Sequence, residues 1–223
     1  MVPVVASAPA PAGGVSTAGW PHRLRLTLRS SGPWLVSLSF AVYSSQWLAV
    51  IGFLPTVYTA LGLGAALTGV LTACVAFANV TGNLLSGRLL QRGWPVRRLL
   101  HVGFACMALG AIGAFGEWQG LALPTFWRFV SVLLFSALGG LVPATLFATA
   151  VRLAPDESTI STTVGYMQQW SAFGQFAGPP LVAWVAARVG GWQWTWGVTV
   201  SLSVLGALLA LRIERTLRAR ALA

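Results

Sequence analysis

Residues 68–98 constrain the fold of this chain more than any other stretch. They read TGVLTACVAFANVTGNLLSGRLLQRGWPVRR: an apolar run with small and polar residues along one side, closed by Arg88, Arg92, Arg97 and Arg98. The run is long enough to cross the hydrocarbon core of a bilayer, which takes about 20 residues of helix. No water reaches the backbone there, so a spanning segment must satisfy its own amides by folding as a helix. Runs of the same character recur along the chain, and only 8% of the residues are charged against 56% hydrophobic. A soluble domain carries about a quarter charged residues, so this chain has too little charge to cover a water-facing surface. The runs are unbroken, which argues against a β-barrel, whose strands alternate over about ten residues. The fold class that follows is all-α, a polytopic membrane protein with six transmembrane helices.

The spans are read at residues 34–55, 67–90, 99–116, 127–151, 160–189 and 194–211, with Pro143 inside the fourth and a break at Gly178, Pro179 and Pro180 in the fifth. Residues 1–33 form a lead-in: a Pro/Ala/Gly tail expected to be disordered, then the basic HRLRLTLRSSG, which suits an anionic membrane surface or a solvated linker. The transmembrane domain is expected over 34–212 and a basic tail over 213–223. MVPVV is too short for the apolar core of a signal peptide. In RLAPDES (152–158) the Asp156, Glu157 and Ser158 cluster favours the start of a helix.

All 14 basic residues are arginine. Six spans put both termini on one side, and that side collects Arg23, Arg25, Arg29, Arg88, Arg92, Arg97, Arg98, Arg152, Arg212, Arg215, Arg218 and Arg220. Arg128 and Arg188 are left for the other side. By the positive-inside rule both termini are expected in the cytoplasm of a multi-pass plasma (inner) membrane protein. The net charge of +10 is thereby explained by orientation, and no nucleic-acid partner is implied.

Polar residues inside spans are the first candidates for function. Thr72, Asn79, Asn83 and Ser86 stand seven, four and three residues apart, one helical stripe. Gln168, Ser171 and Gln175 make a second stripe, and Tyr43 and Gln46 share a face of the first span. They can line a water-filled cavity, or they can bond helix to helix at about 0.6 kcal/mol each. Across three helices, partial cavity exposure is expected. Arg128, in TFWRFV, is a further candidate to hold an anion, against a snorkelling role beside Trp127. Cys74 and Cys106 lie in spans without a metal-ligand or CxxC pattern and read as small core residues. No HExxH, Walker A or nucleophile–base pattern occurs, so neither an enzyme nor a cofactor or metal is expected.

At residues 82–98 the chain resembles the C-terminal six-helix half of a major facilitator superfamily transporter. That family repeats a Gly-x-x-x-Asp-Arg-x-Gly-Arg-Arg-like loop after the second helix of each half; here Gly87, Arg88, Arg92, Gly93, Arg97 and Arg98 stand for it, with Gln91 in place of the Asp. RLAPDES, GQFAGPPL (174–181) and GGWQWTW (190–196) resemble the segments around the family's last two helices, and FLPTVY (53–58) resembles its cyanate/nitroimidazole permease branch. The resemblance implies an MFS-like C-terminal half-bundle lacking the first six-helix half. It implies membrane transport of a small organic solute, an anionic one included, by alternating access between two halves. Expected partners are the lipid bilayer, the solute, and a second six-helix half or a homodimeric copy. Tyr43, Gln46, Asn79, Asn83, Gln168, Gln175 and Arg128 are the cavity candidates, and the Gly87–Arg98 loop is a cytoplasmic gate or anchor. The rival reading is a six-helix membrane interaction or scaffold protein, or a carrier remnant that does not transport.

Overall fold

A computed structural model describes residues 19–222; the tail expected to be disordered at 1–18 lies outside the described residues. The helices are α1 (Trp20–Arg29), α2 (Ser31–Ala60), α3 (Ala65–Gln91), α4 (Val96–Phe115), α5 (Thr125–Gly139), α6 (Leu141–Leu153), α7 (Ile160–Val189) and α8 (Thr195–Leu222). Five spans are long and apolar enough to cross a membrane: α2, α3, α4, Thr125–Leu153 and Trp192–Leu222. The remaining long helix, α7, equals α2 in length but carries Gln168, Gln169, Ser171 and Gln175. The protein is therefore an all-α polytopic membrane protein.

Helix α2 is the axis of the bundle. It packs on α7 more extensively than any other two elements pack, and it also touches α3, α6 and α8. Glycine makes the α2–α7 approach possible. A Cβ at Gly174 would run into the Ala41 carbonyl, and one at Gly178 into the Ser45 carbonyl. Small residues at such spacing let helix backbones meet in lipid, where no hydrophobic force drives helices together. The same device joins α3 to the α5–α6 junction, where a Cβ on Gly82 would meet the Ala137 carbonyl and Gly140. Helices α3 and α8 are peripheral, and Phe77 (71% exposed) and Leu84 point outward from α3 as lipid-facing residues. Cys74 shares this outer position and is exposed, while Cys106 is partly buried; the core placement expected for Cys74 fails because α3 lies at the edge.

Two proline readings change. The expected break at Gly178, Pro179 and Pro180 is absent: α7 runs unbroken from Ile160 to Val189. In lipid, neighbouring helices support the turn that loses backbone hydrogen bonds to proline, and α2 lies directly against this one. Conversely the fourth span is two helices, α5 and α6, parted at Gly140 three residues before Pro143. Pro143 has no N–H for the Gly139 carbonyl and crowds that turn.

The basic lead-in and the basic tail are helical over residues 20–29 and 213–222. The basic lead-in forms α1, whose Thr27 is buried and whose Leu28 carbonyl accepts a bond from Trp34 Nε1 at 2.8 Å. The tail continues α8 to Leu222. Glu214 holds Arg97 of α4 at 3.0 Å and Arg218 at 2.7 Å, and Arg220 donates to the Arg152 and Ala154 carbonyls at 3.0 Å. These contacts gather α1, the 92–95 turn, the 154–159 loop and the end of α8 at one end of the bundle. At the other end, residues 116–124 fold as a hairpin of β1 (Glu117–Trp118) and β2 (Leu121–Ala122). Its turn residues Gln119 and Gly120 both have positive φ, as a two-residue type I′ hairpin turn requires.

Asp156 caps the single turn Glu157–Thr159 that opens α7, as RLAPDES suggested. Its Oδ1 accepts from the Thr159 amide at 3.0 Å, and its own amide donates to Thr159 Oγ1 at 3.1 Å. The Ser158 hydroxyl first, and then Thr159, hold its carboxyl below the usual range. A lowered folded pKa adds stability above the ordinary carboxylate pKa, about 4, and this is lost as pH falls through the folded value. Thermal melts should therefore show wild type weakening below about pH 4 more steeply than Asp156→Asn; parallel curves would remove the cap from this account. Gly82→Val should cost about 1–3 kcal/mol through overpacking and lower the yield of folded monomer. Gly87→Val, at a glycine with open space around it, should not.

Candidate functional site

The middles of α2, α3 and α7 meet around a cavity of about 270 Å³. Its lining is Phe40, Tyr43, Ser44 and Trp47 from α2, Asn79 and Asn83 from α3, Pro143 from α6, and Gln168, Ser171 and Gln175 from α7. On α2 the residues recur at three- and four-residue steps, so one helical face supplies them. The Gly174 and Gly178 contacts bring α7 close enough for its glutamines to join that face. The Gly82 contact seats α3, with its asparagines, on the α5–α6 junction.

Hydrogen bonds divide these polar groups into two kinds. Asn79 Nδ2 donates to the Tyr43 hydroxyl and to the Ser136 carbonyl, each at 2.9 Å, tying α3 to α2 and α5. Asn83 Nδ2 donates to the Asn79 carbonyl and to Asn79 Oδ1, each at 3.0 Å. Ser44 and Ser171 share a hydroxyl bond of 2.7 Å between α2 and α7, and Gln175 Nε2 donates to Ser171 Oγ at 3.2 Å. Trp47 Nε1 donates to Ser136 Oγ at 3.2 Å. Left for a guest are the Tyr43 hydroxyl proton, the Asn83 and Gln175 carbonyl oxygens, and the amide of Gln168, which is exposed. Phe40 lies parallel to Tyr43, with ring centroids 6.1 Å apart. The wall thus offers neutral donors and acceptors beside aromatic faces, and no charged side chain is among its lining residues.

Five of the seven residues expected from the sequence meet at this cavity: Tyr43, Asn79, Asn83, Gln168 and Gln175. Gln46 does not. It is fully buried under α8, to one side of the cavity-lining stripe of α2, where its Oε1 accepts from Ser203 of α8 at 2.9 Å and its Nε2 donates to the Val42 carbonyl. Arg128 does not either. Its Nε donates to the Ala114 carbonyl at 2.6 Å, satisfying a carbonyl in the last turn of α4. Ser86, on the same stripe as the asparagines, bonds Thr145 at 2.8 Å and joins α3 to α6. Phe40, Ser44, Trp47, Pro143 and Ser171 also line the cavity; Phe40 and Trp47 stand three and four residues from Tyr43, Ser44 four from Phe40, and Ser171 already belonged to the Gln168 stripe, while nothing in the spacing marked Pro143. Among the described residues no three His, Cys, Asp or Glu side chains converge as a metal site would require.

The Major Facilitator Superfamily profile matches residues 35–222. The chain belongs to the Major Facilitator Superfamily. That family is one of membrane transport proteins. Over 194 residues the chain is 26% identical to the inner membrane metabolite transport protein YgcS of Escherichia coli (strain K12), which covers 84% of this chain. The chain spans 40% of that relative's length.

The two kinds of polar group make a testable contrast. Asn79→Leu removes two interhelical bonds, together roughly 1 kcal/mol at about 0.6 each, and should lower the unfolding midpoint in detergent. Gln168→Leu should leave that midpoint unchanged.

Proposed function

We propose that this chain is one half-bundle of an alternating-access carrier in the inner membrane, corresponding to the C-terminal half, with both termini in the cytoplasm. The observation that carries the reading is the convergence of Tyr43, Asn79, Asn83, Gln168 and Gln175 on one concavity at the midpoints of their helices. Carriers of this architecture hold solute near the bilayer midplane, between two halves that rock about it. A single half supplies one wall, so a second six-helix half or a second copy would supply the other. The span of 40% of the length of a metabolite transport protein agrees with a half-unit. The arginine-rich end supports cytoplasmic termini through the positive-inside rule. FLPTVY (53–58) is the sole support for the cyanate/nitroimidazole permease branch.

The solute this wall suits is small, organic and uncharged, recognised by hydroxyl and amide hydrogen bonds and by aromatic contact. An anionic solute had Arg128 as its candidate anchor, and Arg128 is engaged by α4 away from the cavity. Burying an anion against an uncharged wall would leave its charge uncompensated. A partner half that brought a cation would change this preference, and transport by the assembled pair would reveal it.

Uptake of neutral and anionic metabolite panels into proteoliposomes tests the reading, with the chain alone and with a co-expressed N-terminal half. Gln168→Leu and Asn83→Leu should each lower uptake about tenfold or more, the loss expected when a site built for hydrogen bonding is left unpaired. Gln46→Leu should lower stability without a selective loss of uptake. Absence of uptake in both formats, with the protein folded, would favour an interaction protein or a carrier remnant.

A further inference from the structure

We infer that the cleft between the start of α4 and the end of α8 is a binding site for an anionic phospholipid, holding the headgroup phosphate on Arg98, Arg97 and Arg218. The cleft has a volume of about 560 Å³ and is lined by Pro95, Arg97, Arg98, His101, Val102, Leu211, Glu214 and Arg218. Its charges do not cancel. Glu214 is the lone carboxylate in the lining and is engaged by both Arg97 and Arg218. Among the described residues Arg98 makes only a cation–π contact, its guanidinium 5.5 Å from the Trp94 ring centroid. Three arginines against one glutamate leave two positive charges in one concavity.

The cleft continues into an apolar groove, and this selects a lipid over a small anion. Leu211 lines both the cleft and a neighbouring depression of about 460 Å³ on α8, formed by Leu205, Leu208, Leu209, Arg212 and Arg215. Below the arginines, Leu205 and Leu208 on α8 and Val102 and Leu109 on α4 are all exposed apolar side chains within spanning helices. A cationic pocket that opens onto a strip of hydrocarbon-facing side chains fits a molecule with a phosphate at one end and acyl chains at the other. Basic pockets between helices at the membrane surface hold anionic headgroups in this way. Trp94, exposed beside Arg98, sits where an indole prefers the headgroup region. The site belongs to a different pair of helices from the solute cavity, and the inference stands whether or not the chain transports.

Native mass spectrometry of the purified full chain in detergent tests it. Phosphatidylglycerol and phosphatidylcholine of identical acyl chains are titrated against wild type, Arg98→Gln/Arg218→Gln, and the charge-matched control Arg25→Gln/Arg29→Gln on α1. Wild type should retain phosphatidylglycerol in preference to phosphatidylcholine. The cleft pair should weaken that binding roughly 25-fold, at about a factor of five per arginine, and the α1 pair less than about twofold. Equal loss in both pairs would mean diffuse attraction to a basic surface and would overturn the site. So would equal retention of both lipids, or displacement of phosphatidylglycerol by excess inorganic phosphate, which would mark a free-anion site. Leu211→Trp keeps every charge and fills the shared wall. It should also release phosphatidylglycerol, and unchanged binding in this variant would overturn the seating between α4 and α8.

Discussion

Hydrocarbon offers a polar group no partner, and most of this structure follows from that. Most of the hydroxyls and amides drawn into the bundle find a bond to another helix, to their own helix, or to a helix end, while the buried hydroxyls of Ser37, Tyr58, Thr72, Thr163 and Thr195 have no partner among the described residues. Gln46 and Ser203 satisfy each other between α2 and α8, Ser86 and Thr145 between α3 and α6, and Ser44 and Ser171 between α2 and α7. Each bond adds little stability, but each fixes which faces of two helices must meet. A rotated helix would leave such groups bare in lipid, where an unpaired polar atom is costly. The polar stripes therefore set the orientation of helices whose apolar surfaces alone would hardly distinguish one neighbour from another.

Glycine supplies the closeness that those bonds require. Gly174 and Gly178 seat α7 on the carbonyls of α2, and Gly82 seats α3 against the α5–α6 junction. With α2 as the common neighbour, the approach of α3 and α7 encloses the polar cavity between them. One set of packing contacts thus serves both cohesion and the site. The residues that tie the wall together, Asn79 and Ser171, differ from those left with free groups, Gln168 and Asn83, though all sit on the same two helical stripes.

Charge is handled separately from the core. The arginines are concentrated at one end, where Glu214 and the carbonyls of Arg152 and Ala154 hold some of them. This end joins α1, the 92–95 turn and the end of α8 into one ordered region. Within the loop motif around Gly87 and Arg98, Arg97 pairs with Glu214 of α8, and Arg98 is turned to Trp94 and the adjoining cleft.

Membrane class and the family were legible in the residues themselves, because apolar length and arginine placement are properties of the linear chain; of the six spans expected, five are long and apolar enough to cross a membrane, and α7 is the more polar sixth. So were Tyr43, Asn79, Asn83, Gln168 and Gln175, since helical periodicity alone puts polar residues on one face. Periodicity could not say what each face meets. Gln46 stands three residues from Tyr43 and looked equivalent, yet α8 lies over it and Ser203 takes its oxygen. Arg128 looked like an anion anchor, yet the Ala114 carbonyl at the end of α4 accepts a hydrogen bond from its Nε. The prolines were ambiguous for the same reason: Pro179 and Pro180 are carried through an unbroken α7 lying on α2, while Pro143 follows a helix break. A residue's type sets the bonds it can make, and only the neighbouring helices decide which of them are made.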